Sequence, residues 1–296
     1  MKLAIASAAA MAVVGLAAPA FAQAGPGVEI RHAVARVAVV VEDRADIAVE
    51  IEQGTSGLPA VRVTREGANV RINGGLARRG LMGRGDGIRN CRSGPETVRQ
   101  AGEGASVEVR DVGRVNLMDA PLIVIRTPRT VNLEASGAVF GSVGRGAAAV
   151  DLANSGCGTW NVANTAGPVS LSISGSGDMR AGTSTSLETS ISGSGSMSAG
   201  ATRGLDVSVS GAGDVVIARV DGPTDISIAG SGDVIVRDGT APDLNISIAG
   251  SGDVEFGGVA GDVDVSIAGA GDVSVARATG SVSRSIVGAG DVRIGG

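Results

Sequence analysis

The 296-residue chain has no tyrosine, one tryptophan and three phenylalanines, one of them Phe21 near the N-terminus. A thick core built on aromatic rings is therefore excluded, and the aromatic platforms on which sugar sites commonly stack their ligands are scarce. His32 is the only histidine, so His-based catalytic triads and multi-His metal centres are absent. Lys2 is the only lysine, which removes any P-loop, and no G-x-S-x-G elbow occurs. Beyond residue 22 no apolar run reaches membrane-spanning length, so an integral membrane protein is not expected. Basic residues are outnumbered, 25 Lys and Arg against 30 Asp and Glu, for a net charge of −5. That balance does not fit a nucleic-acid binder.

Glycine, by contrast, is abundant, with 48 residues. Many of them mark a repeat. The first glycine of each copy stands at Gly137, Gly156, Gly175, Gly193, Gly211, Gly230, Gly250, Gly269 and Gly288, at steps of 18 to 20 residues. A near-constant period over nine copies signals a repeat architecture. Two positions before the glycine come Ile173, Ile191, Val209, Ile228, Ile248, Ile267 and Ile286, and one position further back a column of serines such as Ser208, Ser227 and Ser247. Four positions after it come Trp160, Met179, Met197, Val215, Val234, Val254, Val273 and Val292. Alternation of apolar and small polar residues with period two describes strands with one buried face. Each unit reads as strand, Gly-x-Gly corner, strand and looser connection. One unit alone cannot bury its apolar face, but stacked at about 4.8 Å, like residues fall above like. The expected fold is all-β: a single-stranded parallel β-helix, or solenoid, over residues 131–296, its interior filled by aliphatic ladders. Trp160 and Phe256 fall at inward positions.

The N-terminal part is less regular. Residues 1–22 read as a signal peptide: Lys2, an apolar run, then Ala20-Phe21-Ala22 as a cleavage site. This predicts export, to the periplasm or to the cell exterior. Residues 23–130 read as an irregular β cap with the first, less regular coils; strand candidates lie at 28–41, 47–51, 61–64, 70–72, 107–109 and 122–125. Within this part, residues 74–104 are rich in Arg and Gly and read as a loop on the solenoid wall or a mobile insertion. The last coil has no evident cap, which makes end-to-end self-association a candidate.

Three features invite chemistry. Asp178, Asp214, Asp233, Asp253, Asp272 and Asp291 all stand three residues past the first corner glycine. Carboxylates stacked about 4.8 Å apart repel by roughly 0.9 kcal/mol per neighbour even at water's dielectric, so something must offset this. A hydrogen bond from backbone N–H in each Asp's own turn is one solution. A shared calcium ion, with Asp214, Asp233, Asp253 and Asp272 as ligands, is the other, and calcium is the only cofactor the sequence suggests. A second acidic column holds Asp151, Glu188, Asp206, Asp225 and Asp264, whose plainer reading is a solvated face that discourages lateral sheet pairing. The only two cysteines, Cys91 and Cys157, are a disulfide candidate in an oxidising compartment, with two free thiols as the alternative. No catalytic residues stand out.

At the Gly-Ser-Gly-Asp-Val rungs, most clearly over residues 225–236, the chain resembles the bacterial family described as putative auto-transporter adhesin, head GIN domain. The resemblance extends over roughly residues 28–280. It implies a right-handed β-helix in an exported protein and names no catalytic residues. No aromatic-girdled membrane barrel follows the repeats, so self-export is not expected. The leading functional expectation is a non-catalytic binding or adhesin-like module for an envelope glycan or protein. The alternative is a polysaccharide-active β-helix enzyme, a lyase or hydrolase.

Overall fold

The computed structural model describes residues 25–80, 83–95 and 100–295; the leader expected over residues 1–22 lies outside the described residues. The fold is a β-solenoid of about nine turns. Its strands pair in parallel with the equivalent strands one coil away, and the corner glycines stand in a row. Gly193 is paired with Gly211, Gly211 with Gly230, Gly230 with Gly250, Gly250 with Gly269 and Gly269 with Gly288. The all-β solenoid read from the repeat is borne out.

The inward columns are those the alternation marks. Ile173, Ile191, Val209, Ile228, Ile248 and Ile267 are all buried, as are Trp160 and Phe256. Trp160 fits because its register partner one coil earlier is Gly141, where any side chain would overlap the indole ring. The corner is closed to side chains for a related reason. Gly250 has φ +145°, and a Cβ there would overlap the backbone carbonyl of Gly230. That carbonyl accepts the Ser251 N–H at 2.8 Å, and the same bond recurs between corners along the stack.

The N-terminal part contains one coil the repeat pattern hides. Strand β1 (Gly27–Val41) pairs in parallel with a strand at Thr130–Val143, placing Ala33 beside Gly137. The register slips between Ile30 and Ala33, and His32 sits in that bulge at φ +49°. The bulge makes the position of this histidine a strained one. Strands β2 (Ala48–Glu52), β3 (Arg62–Glu66) and β4 (Asn69–Asn73) follow β1. On the far side of β1, β4 covers its first half and the strand Leu122–Thr127 its second half, both parallel. Antiparallel partners then end the stack: β3 on β4, and β2 on Leu122–Thr127.

A separate three-stranded antiparallel sheet lies against the wall, made by Ile88–Arg92, Ser106–Val109 and Gly113–Asn116. Val107, Val109, Val115 and Leu117 form a second core against Val34, Ala138 and Phe140 of the solenoid. The stretch that reads as an Arg- and Gly-rich loop thus includes a strand of this lobe. Cys91 on the lobe and Cys157 on the solenoid meet at bonding distance, with Cα atoms 6.3 Å apart.

Candidate functional site

Along the strands that precede the corners, every second side chain points to solvent. Relative to the corner glycine, three outward columns run the length of the stack. The outermost holds Glu188, Asp206, Asp225, Asn245 and Asp264, each in register with the next. The middle column is serine in every coil from Ser172 to Ser285. The innermost is Ser174, Ser192 and Ser210, then Ala229, Ala249 and Ala268. These strands are parallel and in register, with aliphatic residues stacked over one another in the inward columns. The outcome is a two-dimensional lattice of hydroxyl and carboxylate groups. A shallow groove of about 330 Å³ crosses it, lined by Asp206, Asp225, Asn245, Asp264 and the serines between them. Asn245 donates to the Asp225 carboxylate at 2.8 Å, which breaks the run of like charges.

The aspartate column past the corners is organised differently from the sequence expectation. Each carboxylate accepts a backbone N–H from the next coil, not from its own turn. Asp253 N–H donates to Asp233 Oδ1 at 2.9 Å, Asp272 to Asp253 at 2.8 Å and Asp291 to Asp272 at 2.9 Å; Asp233 donates to Asp214 at 3.1 Å. In return, the Asp main-chain carbonyl accepts from the valine of the previous coil, as Val234 N–H does to Asp253 O at 2.9 Å. The chain bends away from its neighbour at the corner, so this N–H would otherwise lose its ladder partner. The carboxylate replaces it. Only Asp291 in the last coil bonds within its own turn, to the Val292 N–H at 2.9 Å. Among the described residues, no group of three or more His, Cys, Asp or Glu is placed to hold a metal ion.

A second groove, of about 320 Å³, opens where the cap meets the first coils and is lined by Glu29, Glu66, Glu134, Arg71 and Asn132. In the column that is serine further along, Glu134 pairs with Glu29, and Glu29 with Arg71. Arg71 bridges Glu29, at 2.9 Å, and Glu66, while Arg31 also pairs with Glu29. Burial alone would push the Glu29 carboxyl up, but hydrogen bonds from Arg71 and Arg31 outweigh it and hold the group below its ordinary value. Burial does push the Asp151 carboxyl up, but Asp151 lines neither groove. Acid–base catalysis by two carboxylates wants one held protonated beside one held ionised. Glu29, held below its ordinary value, and Asp151, pushed up, do not share a groove. His32 lies near Glu29 and Glu134, yet its bond to Ser136 Oγ, at 3.4 Å, comes from the main-chain N–H.

This second groove was missed by sequence reasoning. Glu134 stands three residues before Gly137, where later coils have serine or alanine, and that departure was visible. Glu29 was not, because the bulge at His32 shifts it out of the count. Cys91 and Cys157 are brought together, and the four calcium candidates are lined up without closing around a common centre.

Among the described residues no helix is long and apolar enough to cross a membrane. No curated protein matches the chain. The family model described as putative auto-transporter adhesin, head GIN domain, matches residues 88–219 and 223–296, which takes in the wall lobe and the regular coils. The chain belongs to this family.

Proposed function

We propose that the protein is an exported, non-catalytic binding module of the adhesin type, and that its lattice of Ser, Asp and Glu side chains lies against a hydroxyl-rich cell-envelope glycan. The family description supports an adhesin-like role. The observation that carries the reading is the exposed, in-register serine column flanked by carboxylates over successive coils. Each hydroxyl both donates and accepts, and each carboxylate accepts, so the lattice matches a polymer offering hydroxyls at short, regular intervals. Such a surface gains affinity from many weak contacts made together.

Binding to a glycan array, with a reducing-end release assay on the polysaccharides that bind, tests this. Ser227→Arg combined with Ser247→Arg should reduce glycan binding at least about tenfold, a loss of about 1.4 kcal/mol, with the melting temperature unchanged. New reducing ends from any polysaccharide would replace this reading with the enzyme. Binding only to envelope proteins would move it to a protein partner.

The aspartate column belongs, on this reading, to the scaffold and not to an ion site. Each carboxylate already offsets its neighbour's repulsion by accepting an N–H from the next coil. Melting at millimolar calcium should therefore match melting in chelator, since an ion bound at 100 times its Kd would add about 2.7 kcal/mol. Asp253→Ala should cost about 1 kcal/mol by leaving the Asp272 N–H unpartnered, and Asp253→Asn less. A calcium-dependent rise in melting temperature would restore the ion.

A further inference from the structure

We propose that Arg284 shields the outer edge of the last described coil against axial stacking of a second copy of the chain. The last described coil is made by Val282–Gly288 and Val292–Ile294, each paired on one side only, with Val254–Gly269 and Val273–Ala278. Its other edge carries the unpaired backbone groups of two parallel strands, and Val282 and Ile286, inward residues of the ladder, are each 41% exposed. Left at that, the end would be a template for another strand.

Arg284 changes the outcome. Its column is apolar or small through the preceding coils: Leu171, Thr189, Val207, Ile226, Ile246 and Val265, all buried. Arg284 is the register partner of Val265, so its side chain starts from an inward position. From there it crosses the open end, and Nη1 donates to the Val292 carbonyl oxygen at 3.4 Å on the opposite strand. The methylene stem shields the ladder below while the guanidinium stays in water. A strand laid on this edge would enclose the charge between two apolar coils. The other inward residues here are Val282, Ile286, Val292 and Ile294, so no carboxylate faces it from inside. The coil's only acid, Asp291, sits at the outer corner and is paired with Arg293 at 2.9 Å. Burying an unpaired guanidinium costs more than two half-exposed aliphatic side chains return.

The opposite end presents a different, charged edge, so the contact that Arg284 opposes is made edge to edge between the last described coils of two copies. There β3 ends the stack as an antiparallel edge, exposed along its whole length and carrying Arg62, Arg65 and Glu66. On this account the end-to-end association expected from the bare last coil is suppressed by a single inward charge.

Sedimentation velocity over a concentration series, on the full chain, tests the inference. Arg284→Val should self-associate at least tenfold more tightly than the wild type, and Arg284→Lys should behave as the wild type. Circular dichroism checks that each variant is folded; if Arg284→Val is not, Arg284→Met removes the charge with the stem retained. Association of the charge-free variant no tighter than that of the wild type overturns the proposal. So does a wild-type dimer that is abolished by Ile286→Arg.

Discussion

Replacing Gly250 with alanine is expected to lower the stability of the protein by about 4 kcal/mol or more, a large share of the roughly 5–15 kcal/mol that holds a typical domain folded. Two costs add. The residue has φ +145°, a conformation that costs an L-residue on the order of 1–3 kcal/mol. The new methyl group also overlaps the carbonyl of Gly230. That carbonyl is backbone, fixed by its bond from Ser251, and has no side-chain freedom with which to move aside. Gly67→Ala is the control. Gly67 also has positive φ, +63°, but nothing lies within 4 Å of its Cβ position, so only the backbone term of about 1 kcal/mol applies. Gly288→Ala should cost less than Gly250→Ala, because a break in the last described coil unstacks only that coil from the described stack, whereas one in the middle separates two halves. Urea unfolding of the three variants gives the comparison. Equal costs for Gly250→Ala and Gly67→Ala would mean that the corners do not lie against one another.

The paired variant Cys91→Ser, Cys157→Ser is expected to lose about 4 kcal/mol relative to the oxidised protein, the entropy of a loop closed over a sequence separation of 66. Serine is well tolerated at position 157, since the same place after the corner glycine is filled by Ser176, Ser194, Ser231 and Ser251 in other coils. The loss should therefore come from freeing the lobe, not from damage to the coil. Because the lobe keeps its own apolar contacts with Ala138 and Phe140, the far-UV spectrum should be unchanged. Amide exchange across residues 88–95 and 100–116 should quicken. Intact mass of the untreated protein, lower by two hydrogens than after reduction, reports the bond. A full complement of two alkylatable thiols in protein never exposed to reductant would count against it.

How much of this was legible in the sequence differs from residue to residue. The burial of Ile228, Val234 and Phe256 follows from period-two alternation counted from a glycine, and the structure places all three inside. Phe140 was not legible in that way. It lies in the outward column that later holds the aspartates, with Thr159 and Asp178 above it, and it is buried only because the lobe covers it. The coil formed by β1 was hidden by Ala33 standing where later coils have glycine and by the extra residue at the His32 bulge. The partners of the aspartates were misjudged because a carboxylate three residues past a corner is equally suited to its own turn or to the next coil. Only the spacing between coils decides which N–H is nearer.

The candidate site divides along the same line. The serine and acidic columns could be read directly, because residues one period apart become neighbours when the coils stack. The groove at Glu29, Glu66, Arg71 and Glu134 could not, because it joins parts of the chain that no period relates.

The sequence by itself determined the solenoid, its corners and its inward columns. A short repeat that must bury an aliphatic face has its own copies as the nearest matching surface, so local pattern and global packing coincide. What covers each end, what lies on the wall and which charges meet at the cap were decided by the tertiary structure alone. Those contacts join segments far apart in the chain with no shared period, and their free energy exists only once both surfaces are in place.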